Sequence, residues 1–545
     1  MSGTLKEVGV IVGEASSNEF FFSSKPGEMP SRWEYLLTYS EEDVAGTLKQ
    51  VEVVAQIERV LSASQALTKE LDFEIIKKII ESGLADRKVW GKARVLGYLT
   101  ETGDLQQPKK AVMPGKPVYI APAELLEKFY SYPEAEAIKV GSLITRAEVP
   151  VSLSMKGFRR HLAIIAQTGS GKTYLAGIIV EELLKKGGTI IMLDPHADYV
   201  FLSRKVDGKR HELSDRMTVF RSPASTGRYT EADVGKIEPY EICFSDLDLD
   251  EIRLLSRISR NYTNIVNGLQ RALNELKNKK ESFQVEDLLE ELQNAEKWKD
   301  KDPDVDPKIV DGAKSAVKYL ARLTKMHVFT DASTNIGQLL RPMHLSVVDL
   351  SGLDDEVSDY IAYKILTDAY EKVSSGEFDY PVFIFVEEAH RFIPATGTTH
   401  SSRMIKKIAA EGRKFGVFLV VITQRPSRIH SDALSQCNSQ IIMRITNPKD
   451  QEAVAASSER LGETLLNDLP GLDTGEAVIV GEMTRAPIMA RIRKRTTREG
   501  GSDIDIMGKM KEAIEKAKEE TVENESKRLR EEMKGFMDSA KEDEK

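Results

Sequence analysis

The sequence predicts an α/β fold built on a parallel-rich sheet, with a small β-barrel in front, a helical insertion within and a helical tail behind. Three observations predict it. Short apolar runs, "HLAIIAQ", "GTIIMLD", "HLSVVDLSG", "PVFIFVEE" and "GVFLVVITQ", alternate with helical stretches from about residue 151, as strands buried on both faces do in parallel sheets. Before residue 150 the β-prone pieces are shorter and broken by Gly, Pro and charge. Between Asp250 and about Thr330 helical periodicity takes over.

Taken in order, residues 1–150 hold "EVGVIVGEA", "EFFFSS", "QVEVVAQIERVLS", "RVLGYL" and "PVYIAP". This spacing suits a small barrel. A mixed α+β domain is the rival, because "DFEIIKKIIESG" reads as a short helix. Residues 151–250 form the first part of the α/β core and 331–496 the second. The helical insertion spans 251–330. From 497 to 545 the chain is dense in charges of both signs, which predicts a solvated helix, with partial disorder of the terminus as the alternative.

Composition narrows the class. At 545 residues the chain is long enough for three or four domains. The 41% apolar content is ample for several cores. No run of about 18 apolar residues predicts a membrane span, and the start lacks the layout of a signal peptide. Two distant cysteines, Cys243 and Cys437, point to a reducing cytoplasm. The eight histidines show no zinc spacing. A net charge of −9 argues against an overall basic surface but leaves room for a locally basic channel.

"HLAIIAQTGSGKTYLAGIIVEELLKKG" carries the most specific motif. A strand, a glycine-bearing loop and a helix follow one another, and Ala166 to Thr173 reads as GxxxxGK[ST] with Ala in place of the first Gly. Gly169 and Gly171 let backbone N–H groups curl toward phosphate oxygens, and the helix start adds positive potential. Lys172 can reach the β- and γ-phosphates, and the Thr173 hydroxyl can ligate Mg²⁺. The residues expected to touch ATP are Thr168, Gly169, Ser170, Gly171, Lys172, Thr173 and Tyr174. The core is therefore a RecA-like P-loop core.

"PVFIFVEEAHRF" ends a buried strand in two carboxylates, which need a compensating cation. Glu387 is expected to hold the metal and Glu388 to polarise the attacking water. Gln424, at the tip of the next strand, could touch the γ-phosphate. Asp194, in "IIMLDPHADY", lies at a strand tip and could orient water or Mg²⁺. Arg413 closes the helix "SSRMIKKIAAEGRKFG". It could reach a neighbour's nucleotide, or answer the helix dipole. Arg159 and Arg160 precede the P-loop strand, where they could bridge the sheet edge or a subunit interface.

The set "AQTGSGKT", "LDPHADY", "FIFVEEAHRF", "AAEGRKFG" and "VITQRPSRI" resembles the HerA family within the HerA/FtsK group of P-loop ATPases. The resemblance covers about 151–495, and the β-rich start is similar to the family's small barrel. It implies a homohexameric ring that moves on double-stranded DNA with ATP and Mg²⁺, and a NurA-type nuclease partner in end resection. It also implies roles for Lys172, Thr173, Asp194, Glu387, Glu388, Arg413 and Gln424, and an interface role for Arg160. A ring tracking a duplex should line its channel with cations aimed at phosphates. Candidates are Lys205, Lys209, Arg210, Arg391, Arg403, Lys406, Lys407, Arg425 and Arg428. A motor that moves protein and a non-motor ATP switch share the same site chemistry and stand as alternatives.

Overall fold

The apolar runs of the sequence become the centre of a three-layered body in the computed structural model, which describes residues 5–44, 46–500, 507–518, 526–527 and 529–530. Twelve strands form one sheet, in the spatial order Lys236–Pro239, Met217–Arg221, Leu345–Asp349, Thr189–Asp194, Val382–Val386, Val417–Thr423, Leu162–Ile165, Ser439–Ile442, Glu476–Val480, Ile488–Ile492, Ala137–Leu143 and Pro150–Ser154. The strands from Lys236–Pro239 through Ser439–Ile442 run parallel, and the rest are antiparallel.

Successive residues of the central strands feed opposite layers, which explains their continuous apolarity. Phe383 and Phe385 face the layer holding the helix Lys172–Lys185, with Leu175, Ile179 and Leu183. Val382, Ile384 and Val386 face the other layer, which includes the helices Asp355–Ser374 and His400–Glu411. The insertion joins that second layer. Its helices Leu249–Leu255, Thr263–Lys279, Val285–Gln293 and Pro307–Leu320 bury Leu269, Leu273, Leu288 and Val310.

Toward the N-terminus, Glu7–Ala15, Glu19–Ser24, Lys88–Leu99, Thr47–Ala63, Tyr35–Val44 and Pro117–Ile120 pair in a closed ring. This is the expected barrel, filled by residues such as Phe20, Phe22, Leu36, Ile57 and Val118. The helix foreseen in "DFEIIKKIIESG" forms as Phe73–Glu81, between two barrel strands. Trp33 Nε1 donates to Asp468 Oδ2 at 3.0 Å, and Arg32 pairs with the same carboxylate, so the barrel rests on the core.

Two expected boundaries shift. Ala137–Leu143 and Pro150–Ser154 join the large sheet through Ile488–Ile492, so barrel strands end well before residue 150. At the other end, the buried Thr497 donates its N–H and hydroxyl to Glu181, so residues 497–499 belong with the core and not the tail. The described residues up to Glu499 form one compact unit, and those from Gly500 on belong to another. Within the second, 507–518 is helical, while much of the expected tail helix lies outside the described residues. Among the described residues no helix is long and apolar enough to cross a membrane.

Candidate active site

Parallel pairing sets the C-terminal tips of several strands side by side. Ile165 is level with Thr423, and Val386 with Val421. The strand Val417–Thr423 therefore separates the P-loop strand from the carboxylate strand, and Gln424 stands between the two functional loops.

The loop after Ile165 is braced from behind. The Gln167 N–H donates to the Arg444 carbonyl at 3.0 Å, and the Gly475 N–H to the Ser170 carbonyl at 3.1 Å. Gly169 and Gly171 take φ values of 77° and 102°, in the left-handed region that glycine alone enters freely. Lys172 then opens the helix. Such a helix start presents unsatisfied N–H groups to an anion.

Lys172 is 6% exposed, and its ammonium donates to Glu387 Oε1 and to Glu388 Oε1, the latter at 2.9 Å. Burial alone would lower the lysine, but the two carboxylates outweigh it and hold it above its ordinary range. Burial pushes Glu387 up, against the pull of Lys172. At Glu388 burial is outweighed by His390 and Lys172, which bring its carboxyl down to about 2. Glu388 is thus an ionised acceptor at neutral pH, as a water-activating base must be.

Glu388 is also strained. Its φ and ψ are both 47°, a left-handed conformation worth about 1–3 kcal/mol for a residue with a Cβ. This turn accompanies a carboxylate aimed sideways at Gln424, whose Nε2 donates to Glu388 Oε1 at 2.6 Å. Thr168 in turn donates its hydroxyl to Gln424 Oε1. His390 Nδ1 lies 3.2 Å from Glu388 Oε2, close enough for a charge interaction but outside hydrogen-bond alignment.

Asp194 ends the strand Thr189–Asp194, one residue past Leu193, which is level with Val386. Both its oxygens are taken by backbone: Oδ1 accepts from the His196 and Asp198 N–H groups, and Oδ2 from that of Tyr199 at 2.8 Å. Burial and the nearby Asp198 charge push it up, against the Tyr199 and Asp198 N–H groups. These contacts shape the loop that follows the strand. That loop delivers Tyr199, fully buried, whose hydroxyl donates to Glu387 Oε2 at 2.8 Å.

Hard oxygen donors on Glu387 and Thr173 suit Mg²⁺. Among the described residues no group of three or more His, Cys, Asp or Glu could hold an ion by itself. The Glu387 carboxylate and the Thr173 hydroxyl are the kind of oxygen donors Mg²⁺ takes alongside nucleotide phosphates. Tyr174, also expected at the nucleotide, uses its hydroxyl to accept the Arg495 N–H at 2.7 Å. The buried Arg495 guanidinium lies against this helix and donates to the Thr173 carbonyl at 3.5 Å.

The arginines sit at the opposite edge. Arg160 precedes the P-loop strand, 3.6 Å from Glu482, and Arg413 lies in the turn Gly412–Lys414 just before Val417. Arg413 is exposed and shows no ion pair among the described residues. His161 joins the elements around them: Leu419 N–H donates to its Nδ1 at 3.0 Å, and its Nε2 meets the Ala409 carbonyl at 3.1 Å. The basic candidates divide. Lys205, Lys209 and Arg210 pair with Glu212, Asp207 and Asp215, Arg391 with Asp355, and Lys407 lies over the Tyr370 ring. Lys406 is half-buried, while Arg403, Arg425 and Arg428 are exposed without a side-chain partner among the described residues. Sequence reading missed Tyr199, His161 and Arg495. Only "LDPHADY" hinted at the first, by setting a Tyr five residues past a strand-tip Asp.

Comparison with known proteins bears on this geometry. The family model described as Helicase HerA, central domain, matches residues 138–369. A DNA double-strand break repair helicase HerA of Pyrococcus furiosus is 30% identical across 92% of this chain and 96% of its own. A probable DNA double-strand break repair helicase HerA of Methanocaldococcus jannaschii is 30% identical across 83% and 95%. A DNA double-strand break repair helicase HerA of Sulfurisphaera tokodaii is 28% identical across 94% and 98%.

Proposed function

The chain belongs to the HerA family of helicases, and from that membership we propose that it is an ATP-driven ring that moves double-stranded DNA and acts with a nuclease at broken ends. The observation that carries the reading is the split placement of charge. Lys172, Glu387, Glu388 and Gln424 meet at the C-terminal tips of the strands, while Arg160 and Arg413 sit at the other edge.

Seven residues of strand, Val417–Thr423, separate Arg413 from Gln424. At ~3.3 Å per residue they span about 20 Å, too far for one nucleotide to touch both. Arg413 and Arg160 therefore serve a second subunit's nucleotide, which calls for a closed ring.

Within one site, Lys172 exchanges its carboxylates for phosphate oxygens. Thr173 and Glu387 would hold Mg²⁺, which would supply positive charge to offset that of the phosphates. Glu388, freed from Lys172, takes the proton of the attacking water. Gln424 follows the γ-phosphate, and through Thr168 it ties that event to the P-loop. The exposed Arg403, Arg425 and Arg428 supply sequence-independent phosphate contacts.

Steady-state ATP hydrolysis measured with and without linear duplex DNA across a salt series tests this, with Glu388→Gln as the control that loses turnover. Strong stimulation that fades as salt rises is expected. Turnover indifferent to duplex at low salt would overturn the DNA reading in favour of a protein motor or a switch.

A further inference from the structure

The buried Tyr199 hydroxyl is unused by the mechanism above. It lies 2.8 Å from Glu387 Oε2, while Lys172 takes Oε1. We propose that Tyr199 is a positioning residue for the metal-holding carboxylate: it pins one oxygen of Glu387 and leaves the other as the only one free to turn to Mg²⁺. The proposal rests on the reading of Glu387 as a metal holder.

The arrangement is built for this from the backbone upward. Asp194 ends a central strand, and its carboxylate gathers the N–H groups of His196, Asp198 and Tyr199. The turn places the Tyr199 ring in the layer that also holds the P-loop helix. The ring is fully buried and cannot swing into solvent. A phenol donates one proton, and among the described residues the hydroxyl of Tyr199 gives its proton to Glu387 alone. It is therefore committed to Glu387.

The consequence appears when Lys172 moves to phosphate. Glu387 is 1% exposed with Lys172 against it, so the protein groups around it largely set how it is oriented. Tyr199 is then its remaining side-chain donor, and it fixes the rotation of the carboxylate plane. Without the hydroxyl, that carboxylate is free to turn both oxygens onto Lys172, which opposes release of the lysine and misaims the metal-facing oxygen. Partners that orient a metal ligand typically change metal affinity by 10–100-fold.

The test is Tyr199→Phe in the full-length chain, which keeps the ring and removes one atom. Binding of a fluorescent ADP analogue is measured in EDTA and then across a Mg²⁺ titration. Affinity in EDTA within about twofold of wild type, with the half-saturating Mg²⁺ raised about tenfold or more, is the expected result. Asp194→Asn, which keeps the phenol but loosens its loop, should shift Mg²⁺ the same way by a smaller factor. Loss of ADP affinity in EDTA as large as the loss in Mg²⁺ marks a merely structural role and overturns the proposal. Glu387→Gln separates the two layers of inference. If it abolishes the Mg²⁺-dependent gain while Tyr199→Phe leaves it at wild type, only the positioning role fails. If Glu387→Gln itself leaves the gain intact, the metal role of Glu387 fails, and the positioning role falls with it.

Discussion

His161 shows how one side chain can hold an edge of the sheet. It takes a positive φ of 56°, accepts from the Leu419 N–H and meets the Ala409 carbonyl, so its ring is neutral and both nitrogens are used. Burial lowers its pKa to about 4. In the unfolded chain a histidine titrates near 6.5. The unfolded state therefore binds the proton first as pH falls, and the stability this residue contributes is whole above about 6.5 and gone by about 4. The loss is on the order of 3 kcal/mol. His344, also buried and lowered to about 4, acts in the same window. Urea unfolding between pH 7 and 4 should show a steep fall for wild type and a shallower one for His161→Gln. Parallel curves would remove His161 from this account. Nothing in the sequence marked this histidine, because its partners are 248 and 258 residues away.

At the scale of elements, the insertion depends on two glycines where its helices cross. Thr263–Lys279 and Pro307–Leu320 approach so closely that a Cβ on Gly312 would collide with the Asn264 carbonyl, and one on Gly268 with the Ala313 backbone. Neither glycine has a positive φ, so helix propensity alone would favour alanine by about 1 kcal/mol. Overpacking against rigid backbone costs about 1–3 kcal/mol and must exceed that gain, since the helices can only separate. Gly312→Ala should therefore lower the melting temperature. A rise would mean that the helices close over a methyl group without strain. The helices themselves were legible as periodic apolar positions, such as Leu269, Leu273 and Leu276. Their crossing point was not, because a small residue in a helix reads the same whether it faces water or a neighbour.

For the whole molecule, the proposed reading of Arg413, set apart from Gln424, is that hydrolysis is a property of assembled subunits. Arg413→Ala rings should lose about a thousandfold in turnover, as sites deprived of an arginine supplied in trans do. Glu388→Gln rings should be inactive for a different reason. Mixed rings should recover activity, because a Glu388→Gln subunit lends its intact Arg413 to a neighbour with an intact Glu388. Hydrolysis at the wild-type rate by Arg413→Ala rings, or no recovery on mixing, would remove the trans role.

The sequence by itself determined the chemistry. A P-loop ending in Lys172 and Thr173, and a buried strand ending in Glu387 and Glu388, follow from local rules: apolar runs fold as buried strands, glycines make the loop, and a buried carboxylate needs a cation. Tertiary structure alone decided which groups meet. The order of parallel strands put Val417–Thr423 between the other two, so that Gln424 touches both loops. The parallel direction of those strands set Arg160 and Arg413, which precede them, at the far edge, and the turn after Asp194 brought Tyr199 onto Glu387. Strand order is set by how helices and sheet layers pack across hundreds of residues, and no local pattern encodes it.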